Sequence, residues 1–281
     1  MAKGISIHIA LEEFDPKEYG GNEGKLPSCK QDMQDMQKIA SSQKFESIKL
    51  LLNEEATRDN VVSAITSASK ELKSGDMLFL TYSGHGTLFE DESGDEEVDS
   101  SEGKAHDEAW CLYDGFMLDD ELYYFWTLFE EGIRILMVSD SCHSGTMSKD
   151  VFYEGLTIEK SFSKDKAMNL YLKRKVYYDE IRERTLKTKD KEIKSTVLLI
   201  AGCEDAESSH VFPPYKNSAL TLALNKVWSD GEFEGTTVEF FEKIKEEVVA
   251  MAYKKRKFQT PKLYIIGKEN SRFEEQKPFV I

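Results

Sequence analysis

The chain has no long apolar run. Nothing in its 281 residues approaches the roughly 18 consecutive apolar positions that a bilayer crossing needs. Its first residues, MAKGISIHIALEEF, hold only a few apolar positions in a row and no small-residue cleavage site, so they do not read as a secretion signal. Cysteine is scarce. Cys29, Cys111, Cys142 and Cys203 form no CxxC pair, and their spacing does not suggest zinc. A chain of this length needs no disulfide staples, so a reduced, cytoplasmic setting is expected. Positive charge is also short: 37 Lys and Arg stand against 52 Asp and Glu, a net charge of -15. Without a basic stripe, nucleic acid and anionic membrane are disfavoured as partners.

What is present is uneven. Glu90 to Glu108 holds ten acidic residues and one lysine, a local charge of -9. Lys160 to Lys194 reverses the sign, with twelve basic residues against six acidic. The apolar content, 40%, is that of a globular protein with a substantial core.

Short apolar runs alternate with helix-period segments, and no internal repeat is visible. Strands are expected at Gly4 to Ala10, Ser47 to Leu52, Met77 to Tyr82, Ile133 to Val138, Thr196 to Ala201 and Lys262 to Ile266. Helices are expected from Asp32, from the N-cap Thr57, from Asp119 and Asp120, and around 218–228 and 237–253. This alternation predicts an α/β fold: a mostly parallel sheet of about six strands with helices on both faces. Three strands run directly into small polar turns: Ser83-Gly84-His85-Gly86, Asp140-Ser141-Cys142-His143-Ser144-Gly145 and Gly202-Cys203-Glu204-Asp205. In a parallel sheet all three lie on the edge where such folds place their sites.

Cysteine catalysis needs a thiolate and a base. Cys142 sits between small residues in one turn, where backbone amides can point at an oxyanion, and His85 sits in another. The two turns, in this order and about 57 residues apart, resemble the paired signatures of the metacaspases and related bacterial caspase-like (orthocaspase) cysteine peptidases. Cys29-Lys30-Gln31-Asp32, Asp107-Glu108, Asp119-Asp120-Glu121-Leu122 and Ala201-Gly202-Cys203-Glu204-Asp205 agree with it. The resemblance covers about residues 3–267. It implies a caspase-like fold and peptide hydrolysis, with Cys142 as nucleophile, His85 as general acid and base, and the amides of Gly86 and Cys142 as oxyanion hole. A third residue to orient His85 is not evident, and His143 is not expected to act.

Asp140 lies two residues before Cys142 and can face the same side of the strand end. The resemblance adds Cys29, Asp32 and Ser83 to the pocket wall. Two carboxylates in a recess favour Arg or Lys before the scissile bond. The plainer alternative makes Asp32 and Asp140 caps or surface charges. The acidic stretch is either a solvated insertion or part of a Ca2+ site at Asp119 and Asp120, with calcium as an activator and no obligatory cofactor. It lacks the spaced pattern of an EF-hand. The chain divides into 1–150, carrying the Cys–His dyad, a basic linker at 151–194, and 195–281, completing the same domain. The linker is either an ordinary exposed helix or a self-processing region, with Lys149, Lys160, Arg174 and Lys175 as candidate sites. After Gly202 to Asp205, Val211-Phe212-Pro213-Pro214 replaces the expected glycine-bearing approach, which alters the groove subsites. The expected partners are protein or peptide substrates, and the chain is expected to act as a monomer. The alternatives are a non-catalytic caspase-like module that binds partners, and a legumain- or gingipain-like cysteine peptidase.

Overall fold

The computed structural model describes residues 2–21, 24–90, 106–142, 157–188, 190–204 and 207–281. Its strands are β1 (Gly4–Ala10), β2 (Ser47–Leu52), β3 (Met77–Ser83), β4 (Gly86–Glu90), β5 (His106–Leu112), β6 (Gly115–Leu118), β7 (Arg134–Asp140), β8 (Ile158–Glu159), β9 (Thr196–Ala201), β10 (His210–Val211) and β11 (Lys262–Gly267). Its helices are α1 (Cys29–Ser42), α2 (Arg58–Glu71), α3 (Asp119–Trp126), α4 (Lys164–Lys173), α5 (Lys175–Leu186), α6 (Ala219–Trp228), α7 (Thr237–Lys254) and α8 (Ser271–Glu275).

The central sheet has six strands in the order β11-β9-β7-β3-β1-β2. All neighbours pair parallel except β11, which closes one edge antiparallel to β9. This is the mostly parallel six-stranded α/β sheet that the strand–helix alternation predicts, and it agrees with the caspase-like fold that the resemblance implies. The inner strands are buried along nearly their whole length because helices cover both faces. In β3, Leu78, Leu80 and Tyr82 face one layer, while Met77 and Phe79 face the other. The first layer is filled from α2, α3, α4 and α5 by residues such as Ile65, Phe125, Tyr171 and Ile181. The second is filled from α1, α6 and α7 by residues such as Met36, Leu220 and Phe240.

A second, three-stranded antiparallel sheet, β4-β5-β6, lies on the α2 side of the core. Two buried ion pairs lie beside it, one joining two helices and one joining the sheet to a helix. Arg58, at the start of α2, meets both carboxylate oxygens of Glu121 in α3 at 2.6 and 3.0 Å. Arg182 of α5 pairs with Asp107 of β5. The basic stretch is therefore not a bare linker. Its helices α4 and α5 bury Ala167, Tyr171, Tyr178 and Ile181 in the core and are integral to the domain. Thr57 caps α2 as expected, accepting the Asn60 amide at 3.3 Å. No helix among the described residues is long and apolar enough to cross a membrane.

Candidate active site

The register of the sheet brings the expected turns together. Ser83 at the end of β3 lies beside Asp140 at the end of β7, and Ser139 lies beside Ala201 of β9. The turn after β3 is tightly built. A side chain at Gly84 would place its Cβ 2.5 Å from the Tyr82 hydroxyl, so only glycine fits without displacing that ring. The Tyr82 ring stacks on Trp110 at 4.3 Å, and its hydroxyl donates to the His85 carbonyl at 2.7 Å. Trp110 Nε1 in turn donates to Ser139 Oγ at 2.9 Å, which locks the β3 turn to β7.

His85 is buried, and its Nε2 lies 3.1 Å from the carbonyl oxygen of Gly24. A carbonyl only accepts, so Nε2 carries the proton and Nδ1 of the neutral ring holds the lone pair. By hydrogen-bond geometry Nδ1 has no partner among the described residues. Burial pushes the ring's pKa down to about 4. The Gly24 carbonyl and the Ser161 backbone oppose that shift, and the charge of Lys160 adds to it. Gly24 supplies the orienting contact that no sequence motif marks.

The groove beside this histidine is filled by the chain itself. Residues 158–159 form β8 and pair antiparallel with β10, Glu159 opposite His210 and Ile158 opposite Val211. The next amide, Lys160 N, donates to the Ser209 carbonyl at 3.0 Å. The Lys160 carbonyl oxygen then accepts from Gly86 N at 3.0 Å and from Cys142 N at 3.1 Å. These are the two amides expected to form an oxyanion hole, and they converge on one peptide carbonyl. Cys142 is fully buried under this segment, and its thiol donates to the Ser209 carbonyl at 3.4 Å. Beyond the bond, Phe162 N donates to Gly86 O at 2.7 Å, and the Phe162 ring packs among Phe14, Tyr19 and Phe116. Upstream, a groove of about 510 Å³ lined by Pro27, Lys30, Pro213, Tyr215 and Lys216 continues past Ile158.

The Lys160 side chain is also fully buried, and each of its three ammonium protons has an acceptor. Nζ lies 2.6 Å from Asp140 Oδ2, 2.8 Å from Ser83 Oγ and 2.9 Å from Asp32 Oδ2. Burial alone would push its pKa down, but Asp140 and Asp32 outweigh burial and raise it, so the ammonium stays charged. Asp32 is shifted up by burial and by Asp140, with Lys160 opposing. The remaining carboxylate oxygens are satisfied as well. Asp32 Oδ1 accepts from Asn217 Nδ2 and the Ser218 amide at 3.1 and 3.0 Å, and Asp140 Oδ1 accepts from Ser209 Oγ at 2.5 Å. Gly202 keeps that last contact open, since a Cβ there would come within 3.2 Å of Asp140 Oδ1.

Of the expected wall, Asp32, Ser83 and Asp140 touch the lysine. Cys29 is buried beside them, its thiol pushed up to about 12 by burial, with Lys160 opposing. Of the other expected processing sites, Arg174 and Lys175 do not reach the groove. Arg174 joins α4 to α5 and donates to the Asp114 carbonyl, and Lys175 pairs with Asp179 on its own helix. Lys149 and His143 lie outside the described residues. Asp119 and Asp120 open α3 side by side, with Asp119 accepting from the Asp120 and Glu108 amides. Asp107 is engaged by Arg182, and Asp114 accepts from the Arg58 amide. Among the described residues no three His, Cys, Asp or Glu side chains gather as a cation site. Sequence reasoning missed Gly24, Ser209, Asn217 and Gln259. The only trace was the departure from the expected pattern after Asp205.

Residues 17–151 match the metacaspase, peptidase C14 domain family. Metacaspase-1A of Aspergillus clavatus is 28% identical over 231 residues, covering 68% of this chain and 52% of that protein. Metacaspase-1 of Pyricularia oryzae is 32% identical over 143 residues, covering 46% and 34%. Metacaspase-1 of Plasmodium falciparum is 31% identical over 162 residues, covering 53% and 26%. The chain thus spans about half or less of the length of these curated relatives. Among solved structures, the crystal structure of a Geobacter sulfurreducens protein superposes with a TM-score of 0.81 at 37% identity, covering 99% of this chain and 98% of that one.

Proposed function

We propose that this chain, similar to the metacaspases over residues 17–151, is a cysteine endopeptidase that cuts after Lys or Arg and that its own Lys160–Ser161 bond is a substrate. One observation carries the reading. The Lys160 carbonyl accepts from the Gly86 and Cys142 amides while the Lys160 ammonium is paired with Asp32 and Asp140. A substrate needs both contacts at once, the first to stabilise charge on oxygen and the second to set the register.

In this mechanism His85 Nδ1 takes the Cys142 thiol proton. The thiolate attacks the Lys160 carbonyl carbon, and the two amides hold the oxyanion. Collapse breaks the C–N bond, His85 returns its proton to the Ser161 amine, and an acyl-enzyme on Cys142 remains. Water, deprotonated by His85, attacks that thioester. The products are a free thiol and a Lys160 carboxylate. The chain is taken to work as a monomer in a reducing cytoplasm, its four cysteines remaining thiols.

Intact-mass spectrometry tests the self-cleavage. Wild type should resolve into fragments ending at Lys160 and beginning at Ser161, while Cys142→Ala stays whole. A fluorogenic panel ending in Lys, Arg, Asp or Asn tests the specificity, and a preference for Asp would sink it. An alkylatable Cys142 with no turnover on any peptide would favour the partner-binding module instead. Stimulation by calcium, which the resemblance implies, is tested by the same panel with chelator and with added Ca2+; the described residues supply no donor cluster that argues for it.

A further inference from the structure

Glu159, the residue before Lys160, has a charged partner of its own. It lies directly opposite His210 in the antiparallel β8–β10 pair, and opposite residues in such a pair share a face. Alternation along the strand turns this face away from the pocket that holds Lys160. On it, Lys257 Nζ lies 3.6 Å from Glu159 Oε1, and His210 Nε2 lies 3.7 Å from the same oxygen. Both members of the Lys257–Glu159 pair are largely covered, with 27% and 19% of their side chains exposed.

The wall behind this contact is rigid. Gln259 Oε1 accepts from the His210 amide at 3.0 Å and faces His210 Nδ1 at 3.4 Å, which turns Nε2 toward the carboxylate. Gln259 is itself buried and donates to Gly202 O and Ser209 Oγ. The Phe212 ring stacks on His210 at 5.4 Å, with 10° between planes. The same segment, 209–212, therefore supplies the backbone edge that aligns the peptide and the face that meets Glu159.

We propose that Lys257, with His210 beside it, forms a second specificity site that selects an acidic residue immediately before the lysine at the cut. The substrate class narrows from peptides with Lys or Arg to peptides carrying Glu-Lys or Asp-Lys. This rests on the reading of Lys160–Ser161 as a substrate bond. Lys257 carries the charge that discriminates, and His210 adds a second cationic contact when protonated. A basic residue at the Glu159 position would face Lys257 across the same few ångströms and be rejected.

The test compares fluorogenic peptides ending in Ile-Glu-Lys, Ile-Gln-Lys and Ile-Lys-Lys on the full chain after self-cleavage. A partly covered ion pair supports about a fivefold preference in kcat/KM for Glu over Gln, larger against Lys and smaller at high salt. Lys257→Glu should remove the preference for Glu and favour the Ile-Lys-Lys peptide. In the intact chain, Glu159→Lys should slow release of the fragment ending at residue 160, and pairing it with Lys257→Glu should restore the rate. Equal cleavage of the Glu and Gln peptides, within twofold, overturns the second specificity site and leaves the peptidase reading intact. No cleavage of any peptide, and none of the chain itself, overturns both.

Discussion

Asp140 Oδ2 lies 2.6 Å from Lys160 Nζ, and both side chains are almost wholly withdrawn from solvent. The contact joins the strand that presents Cys142 to the residue whose carbonyl its amide holds. A buried ion pair of this kind is costly to break from one side, because the surviving charge is left uncompensated.

Asp140→Asn and Asp32→Asn should therefore each impair cleavage after lysine. Loss of one partner of a buried pair costs about 3–5 kcal/mol, so kcat/KM on a Lys peptide should fall at least ~100-fold. Alkylation of Cys142 by a small haloacetamide, retained in both variants, separates this from unfolding. A Lys peptide turned over by Asp140→Asn at more than a tenth of the wild-type rate would contradict the assignment.

Lysine should be preferred to arginine. Nζ already touches three acceptors at 2.6–2.9 Å, and the floor behind Asp32 is closed by Asn217 and the Ser218 amide. A guanidinium is longer and planar, and must push the carboxylates apart to fit. The expected ratio is about tenfold in kcat/KM, of the size that one misfitted group makes. Matched Lys and Arg peptides measure it, and an arginine preference would refute it.

The histidines should make the fold acid-sensitive. Burial lowers His85 to about 4 and His8 to about 3. Their unfolded values lie near 6.5, so the folded state favours the neutral rings. The stability this contributes is whole above pH ~6.5 and is lost as pH falls through the folded values. For His85 the loss is about 3 kcal/mol once the pH is below ~4. NMR of the Cys142→Ala protein should show neither ring titrating between pH 8 and 5. In Lys160→Met the His85 midpoint should rise, because the lysine's charge is part of what depresses it.

The Arg58–Glu121 pair should matter for stability alone. Glu121→Gln leaves a buried guanidinium without its counter-charge, and about 3 kcal/mol should be lost in urea unfolding. Peptide kcat/KM of the folded fraction should not change. A variant as stable as wild type would show that Arg58 finds sufficient compensation in the Phe116 carbonyl and the Tyr177 hydroxyl.

Much of this molecule was legible along the chain because its signals are local. Apolar runs such as Met77–Ser83, capped by small polar turns, mark buried parallel strands whatever surrounds them. Thr57 marks a helix start through a bond to an amide three residues on. Two such turns, at His85 and Cys142, carried the resemblance to the metacaspases and singled out the two candidate catalytic residues. Four basic residues, by contrast, were equal candidates for self-cleavage, since composition does not distinguish one lysine from another.

Tertiary structure places the described candidates in different surroundings. Arg174 and Lys175 sit in the turn and first residue of packed helices, whereas Lys160 lies where β10 offers a strand edge and two carboxylates from distant elements meet. Asp32 comes from α1, Asp140 from β7, and Lys257, the partner of Glu159, from the segment after α7, each separated from the next by more than a hundred residues of chain. No local pattern records such a meeting. The sequence by itself determined which segments become strands and which turns carry a thiol and an imidazole. Only folding decided which lysine fills the pocket, because a buried charge is tolerated only where opposite charges and hydrogen-bond partners converge in space.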